Sequence, residues 1–109
     1  MLTCFDLKPG VEMPEFAAAL DRYAEHMLSR DLLAAVGEIG RRQRDTILDT
    51  DEGHSQDYFF IMQFRDRAQA DAATELIEAG DEAADPIHRA MYAKADNMVF
   101  LCWEDVPRP

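Results

Sequence analysis

The chain predicts an α+β fold, an antiparallel sheet with helices on one face and a second copy of the molecule against the other. Three observations lead there. Residues 58–64, Tyr-Phe-Phe-Ile-Met-Gln-Phe, and 98–103, Met-Val-Phe-Leu-Cys-Trp, are strand-like runs without polar alternation, so both faces of each strand are apolar. The helical stretches available between and around them suffice to cover a single face. The elements follow the order β-α-β-β-α-(α)-β, a split βαβ arrangement.

Taken in order, residues 1–7 read as a short strand that ends at the turn Lys8-Pro9-Gly10. Pro14 suits the first turn of a helix, where its missing N–H leaves no bond unmade. Phe16, Leu20, Tyr23 and Met27 follow at intervals of four, three and four and make one apolar stripe, with the helix running to about Arg30. A second strand is expected from Val36 to Leu48, charged with Glu38, Arg41, Arg42 and Arg44, and a polar hairpin loop from Asp49 to Gln56. The third strand spans about 57–65. Asp66 with Gln69 forms a capping-box signal for a second helix with the small face Ala70, Ala73, Leu76 and Ile77, and Gly80 ends it. An acidic connector, 81–85, leads to a short third helix from Pro86 to about Ala95 with Ile87, Ala90 and Met91 inward. Asp96-Asn97 is read as a turn into a last strand, 98–104, followed by a frayed Pro107-Arg108-Pro109 tail.

This order is the ferredoxin-like one: a four-stranded antiparallel sheet in the order 4-1-3-2, with the short helix before the last strand as an addition. The third strand is then central, and the charged second strand is an edge protected from stray pairing. The last strand is the other edge and apolar on both sides, so it needs cover. Two such sheets packed face to face through a two-fold interface would form a dimeric α+β barrel.

At 109 residues the chain is one domain, 1–109, able to bury roughly two thirds of its unfolded surface. Twenty-two acidic against eleven basic residues give a net charge of −11, which repels phosphate backbones and argues against nucleic-acid or anionic-membrane partners. No apolar run is long enough to span a membrane, and no leader pattern opens the chain, so a cytoplasmic protein is expected. Cys4 and Cys102 lie in the first and last apolar segments and are expected as reduced thiols.

Five segments carry a more specific likeness: Lys8-Pro9-Gly10, Gly40-Arg41-Arg42-Gln43-Arg44-Asp45-Thr46, Tyr58-Phe59-Phe60, Phe64-Arg65-Asp66-Arg67-Ala68-Gln69 and Cys102-Trp103-Glu104-Asp105. With the element order, they resemble the dimeric α+β-barrel superfamily and, within it, a small bacterial family with no assigned function. The resemblance implies a homodimer with a cavity between sheet and helices in each subunit. The superfamily includes cofactor-free monooxygenases, haem-degrading enzymes, lactone isomerases and ligand-sensing domains. Its haem-degrading members pair a first-strand Asn with a helical His and a Trp. Here the first strand offers Thr3, Cys4 and Phe5 and no Asn, and Trp103 lies in the last strand, which argues against haem.

Candidate chemistry rests on few residues. Arg42 and Arg44 share one face of the expected second strand. A guanidinium drawn inward there would hold a ligand carboxylate or enolate, while the plainer reading is edge protection with intersubunit salt bridges to Asp45, Asp49 or Asp51. His88 and Tyr92, spaced i, i+4, share one side of the third helix and offer a polar or acid–base clamp, against simple helix packing. His26 beside Tyr23 on the first helix is a further ligand-contact candidate, with a structural histidine as the alternative. His54 is expected in solvent unless its loop folds over the cavity. The three histidines show no metal-ligand spacing, and no nucleotide or nucleophile motif exists, so no metal or cofactor is expected. The sequence therefore points to a homodimer that binds a small, anionic or aromatic metabolite. The alternatives are a cofactor-independent monooxygenase or isomerase using Arg42 or Arg44 with His88 and Tyr92, and a purely structural dimer.

Overall fold

A computed structural model of the chain describes residues 1–81 and 84–108. Its elements are β1 (Leu2–Leu7), α1 (Met13–Ser29), β2 (Ala35–Val36), β3 (Gly40–Arg41), β4 (Tyr58–Gln63), α2 (Arg67–Glu78), α3 (Ala84–Tyr92) and β5 (Ala95–Leu101). The sheet is antiparallel and five-stranded, in the order β2-β4-β1-β5, with β3 also paired to β4. No described helix is long and apolar enough to cross a membrane.

The helices start and stop where local chemistry requires. Pro14 lies in the first turn of α1, and the predicted stripe of Phe16, Leu20, Tyr23 and Met27 is buried along its length. The Asp66 side chain accepts from the Gln69 backbone N–H at 2.8 Å, while the Gln69 side chain accepts from the Arg65 N–H at 2.6 Å. That reciprocal pair satisfies donors which the first turn of α2 would otherwise leave bare. At its other end Gly80 takes φ +68°, a conformation that costs glycine little.

Strand alternation sets the core. Thr3 and Phe5 of β1 and Phe60 and Met62 of β4 face the helices and are buried. Phe5 stacks on Phe16 of α1 at 4.4 Å between ring centroids, and Phe60 meets Phe5 edge-on at 5.7 Å. Met27 and Met91 close the remaining space between sheet and helices.

The structure corrects the expected second strand, Val36 to Leu48, and with it the four-stranded sheet. Ala35 and Val36 pair with Gln63 and Met62, and Gly40 and Arg41 with Phe59 and Tyr58. Three edge residues, 37–39, therefore face two of β4, 60–61, a one-residue bulge that breaks the edge into two short strands. Gly40 is required here, since a Cβ on it would fall 2.0 Å from Cε1 of Phe59, whose ring lies across it. After Arg41 the chain leaves the sheet, and 42–57 is a loop.

The third helix begins at Ala84 and ends at Tyr92, both earlier than the expected Pro86 and Ala95, and residues 82 and 83 of the expected acidic connector fall outside the described residues. β5 correspondingly starts at Ala95 and ends at Leu101 rather than spanning 98–104. The expected Asp96-Asn97 turn lies inside this strand. Asn97 adopts φ +51° beside a register irregularity between Cys4 and Asp6, so a turn-forming residue serves a bulge.

Removing the ring at the centre of this core tests the packing directly. Phe5→Ala is expected to cost about 3–5 kcal/mol, read as a fall in the urea midpoint without a change in slope.

Candidate functional site

The helices cover one side of the sheet. On the other side lie Leu2 and Cys4 of β1, Phe59 and Ile61 of β4, and Val99 and Leu101 of β5, placed there by the same alternation that buries Thr3, Phe5 and Phe60. Phe59, Ile61 and Leu101 are 37%, 40% and 36% exposed, high for large apolar strand residues. The 42–57 loop folds back over part of this face.

Two arginines hold the loop in place. Arg42 Nε and Nη2 grip both carboxylate oxygens of Asp49, the second at 2.7 Å, and Arg42 also donates to the carbonyl oxygens of His54 and Asp51. Arg44 donates to the Asp57 carboxylate at 2.9 Å and to the carbonyls of Ser55 and Gln56 at 2.6 and 2.9 Å. These charge-assisted bonds replace the backbone ladder that the loop lacks. The grip of Arg42 holds the Asp49 carboxyl below the usual carboxylate range. Asp51 is likewise lowered, first by the Gly53 backbone N–H and then by His54, whose Nδ1 lies 2.6 Å from Asp51 Oδ2.

Between loop and sheet is a half-open depression of about 700 Å³. Leu2, Cys4, Phe59 and Leu101 give it an apolar floor, and Arg41, Arg42, Asp49, Asp51, His54 and Gln56 stand around the rim. The Arg41 guanidinium lies 6.0 Å from the Tyr58 ring centroid, on the face of the ring. Partial burial raises the Cys4 thiol, which keeps it protonated and a poor nucleophile.

A second cluster occupies the helix side. Tyr23 of α1, His88 and Tyr92 of α3 and Phe100 of β5 form a chain of rings with successive centroid separations of 5.5, 4.7 and 5.8 Å. Burial pushes Tyr23 up to about 12, raises Tyr92 further with help from Tyr23, and lowers His88. Thr3 lies close enough to the Tyr92 phenol to oppose its rise, yet the Thr3 hydroxyl makes no hydrogen bond of ordinary geometry. His26 Nε2 is also buried without a partner among the described residues.

The predicted candidates thus separate. Tyr23, His88 and Tyr92 come together between helices and sheet, while Arg42 and Arg44 sit in the loop across the sheet. The depression that holds Arg41 and Arg42 includes neither His88 nor Tyr92, and Met and Phe side chains fill much of the space beneath the helices. Both arginines make ion pairs within the chain, Arg42 to Asp49 and Arg44 to Asp57, where the plainer reading expected pairs between subunits to Asp45, Asp49 or Asp51. Sequence reasoning missed Arg41 and Gln56 as depression-lining residues and placed His54 in solvent unless its loop folded over a cavity. The alternation of Asp and His with Gly in 49–56 signalled a structured turn, though not its fold over the sheet.

Among the described residues no three His, Cys, Asp or Glu side chains are grouped so as to hold a metal ion, and both cysteines are free. A profile for a family of unknown function (DUF6614) matches residues 2–109. No curated protein sequence matches the chain. A crystal structure of a protein from Arabidopsis thaliana, refined as an ensemble, shares the fold with a TM-score of 0.72 at 12% identity, covering 99% of this chain and 95% of that one.

Two titrations follow from these environments. Asp49 and Asp51 carry lowered folded-state values, so their contribution is complete above the ordinary aspartate value of about 3.9 and is lost as pH falls below it. Backbone ¹⁵N relaxation of residues 46–55 should report loop release on acidification below that point, and Arg42→Ala should reproduce it at pH 7. Tyr23 has the opposite sign: its contribution is present below about 10 and is lost as pH rises toward about 12. Phenolate absorbance near 295 nm should therefore rise together with alkaline unfolding, and Tyr23→Phe should move that unfolding to higher pH.

Proposed function

The chain belongs to a family of unknown function (DUF6614), so its role is read from its own geometry, and we propose that it is a homodimeric small-molecule-binding protein whose site is the depression under the 42–57 loop. The observation that carries this reading is the apolar sheet face left without helices, floored by Leu2, Cys4, Phe59 and Leu101 and roofed on one side by the loop. Ile47 and Leu48 at the loop tip, 93% and 88% exposed, extend the same unpartnered surface. A face of this kind in a chain of charge −11 suits a self-complementary apolar contact better than a charged partner.

The ferredoxin-like reading supports the same assembly. If β2 and β3 are taken as one bulged edge, the sheet order is that of a split βαβ, the arrangement the dimeric α+β barrels use to pair sheets face to face. In such a dimer the partner would cap the open side of the depression and give the ligand an enclosed site, as small-molecule sites require. The binding site moves accordingly from the expected space between sheet and helices to the opposite face. Cytoplasmic residence, which two free cysteines suit, completes the proposal.

An enzyme built on Arg42 or Arg44 with His88 and Tyr92 is not favoured, because those groups lie on opposite sides of the sheet. The cluster of Tyr23, His88 and Tyr92 is better read as packing that fixes α3 against α1.

Ile61→Asp tests the dimer, since Ile61 lies on the open face and outside the buried core. The variant is expected to stay folded and to raise the dimer dissociation constant at least 100-fold by multi-angle light scattering. A wild type that elutes as a monomer, or a variant that dimerises as wild type does, would reject the assembly.

A further inference from the structure

The tip of the 42–57 loop carries the wrong residues for a turn that ends in water. The Thr46 carbonyl accepts from the Asp49 backbone N–H at 3.1 Å, and the Thr46 hydroxyl accepts from the Leu48 N–H at 3.2 Å. Ile47 and Leu48 are therefore the two central residues of the turn, positions that glycine, proline, asparagine, aspartate and serine favour. Both are almost wholly exposed. Single aliphatic residues on a surface are ordinary, but an adjacent pair on a fastened turn is a contact waiting for a surface. Arg42 does the fastening, through both carboxylate oxygens of Asp49 and the carbonyls of Asp51 and His54. An apolar group ordered before contact loses little entropy on docking, as an interface anchor requires.

A matching surface lies on the same molecule. Thr46, Leu48 and Asp49 line the depression floored by Leu2, Cys4, Phe59 and Leu101, so the turn stands on the side of the sheet without helices. Phe59, Ile61 and Leu101 on that side remain over a third exposed. The charges match as well. Arg41 on the rim touches the Tyr58 ring and has no carboxylate partner among the described residues. Asp45, exposed beside the turn, has no cationic partner among them. Each copy thus offers an apolar pair flanked by a carboxylate and an apolar floor flanked by a guanidinium. A two-fold axis makes both contacts at once, because the contact is repeated in the reverse direction.

We propose that the Ile47–Leu48 turn of each copy docks on the Phe59, Ile61 and Leu101 face of a second copy, with Asp45 set against the partner's Arg41. There it closes the open side of the other copy's depression, so each site is complete only in the assembled pair. This rests on the homodimer reading above and deepens it by naming the segment that makes the contact.

Replacing the pair tests the contact, since Ile47 and Leu48 touch little of their own chain and the variant is expected to keep the fold. Ile47→Ser with Leu48→Ser should raise the dimer dissociation constant at least tenfold in sedimentation equilibrium. In wild type mixed from labelled and unlabelled copies, isotope-filtered spectra should show NOEs from the Ile47 and Leu48 methyls to the Phe59 ring of the other copy. Arg41→Asp and Asp45→Arg should each weaken self-association at least threefold, because each sets like charges together at both contacts. An equimolar mixture of the two should form mixed dimers tighter than either parent, since opposite charges then meet at both contacts. A pairing within one chain would give no such preference.

A dissociation constant unchanged by the double serine variant, while Ile61→Asp dissociates the dimer, would overturn the turn's role and leave the assembly standing. An absence of intermolecular NOEs at Ile47 and Leu48, or a mixture no tighter than its parents, would do the same. Shielding of those methyls from a gadolinium chelate only after phosphatidylcholine vesicles are added would assign the turn to a lipid surface and overturn the contact. A monomeric wild type would overturn both readings.

Discussion

One layer of helices can dry one face of a sheet, and this chain has apolar residues on both faces. That constraint governs the rest of the molecule. On the helix side, Phe5, Phe16 and Phe60 interlock with Met27 and Met91 and leave water no room. On the other side, Phe59, Ile61 and Leu101 remain over a third exposed. Hydrophobic burial stabilises by about 25 cal/mol per Å², so a face of this composition favours whatever covers it. The 42–57 loop covers part, and the proposed second copy covers the remainder.

The loop shows how a polar segment can be placed against such a face. Backbone groups in an irregular segment need partners, and here Arg42 and Arg44 supply five bonds to carbonyls of Asp51, His54, Ser55 and Gln56 and to the carboxylate of Asp57, in addition to the Asp49 pair. The guanidinium groups therefore serve the loop's own architecture. Arg42 and Arg44 are spent this way, while Arg41 on the rim lies against the Tyr58 ring. The electrostatic character of the depression follows from that internal pairing more than from the overall charge of −11.

The helices were legible because their signals are local. The Phe16, Leu20, Tyr23 and Met27 stripe, the Asp66–Gln69 cap and the Gly80 stop each act within a few residues, and each appears in the structure. Two-sided strands were equally legible in 58–64, since alternation and its absence can be read along the chain. The edge was not. Arg41, Arg42 and Arg44 read as strand surface, but the bulge at 37–39 and the partners of Arg42 nine and twelve residues away depend on how the chain returns. Asn97 misled for a related reason: its left-handed backbone marks turns, and here it marks a bulge inside β5. The site was legible in part. Tyr23, His88 and Tyr92 do meet, but whether two arginines lie above or below a sheet is decided by one residue of register.

Solvent contact at the open face is the most direct measure of the central claim. In protein with methyl labels on Leu, Ile, Val and Met, a soluble gadolinium chelate should broaden the methyls of Val106 strongly. It should leave those of Ile61 and Leu101 nearly as protected as Met91, which is fully buried. Broadening of Ile61 and Leu101 to the level of Val106 would show the face open to water and would contradict the account.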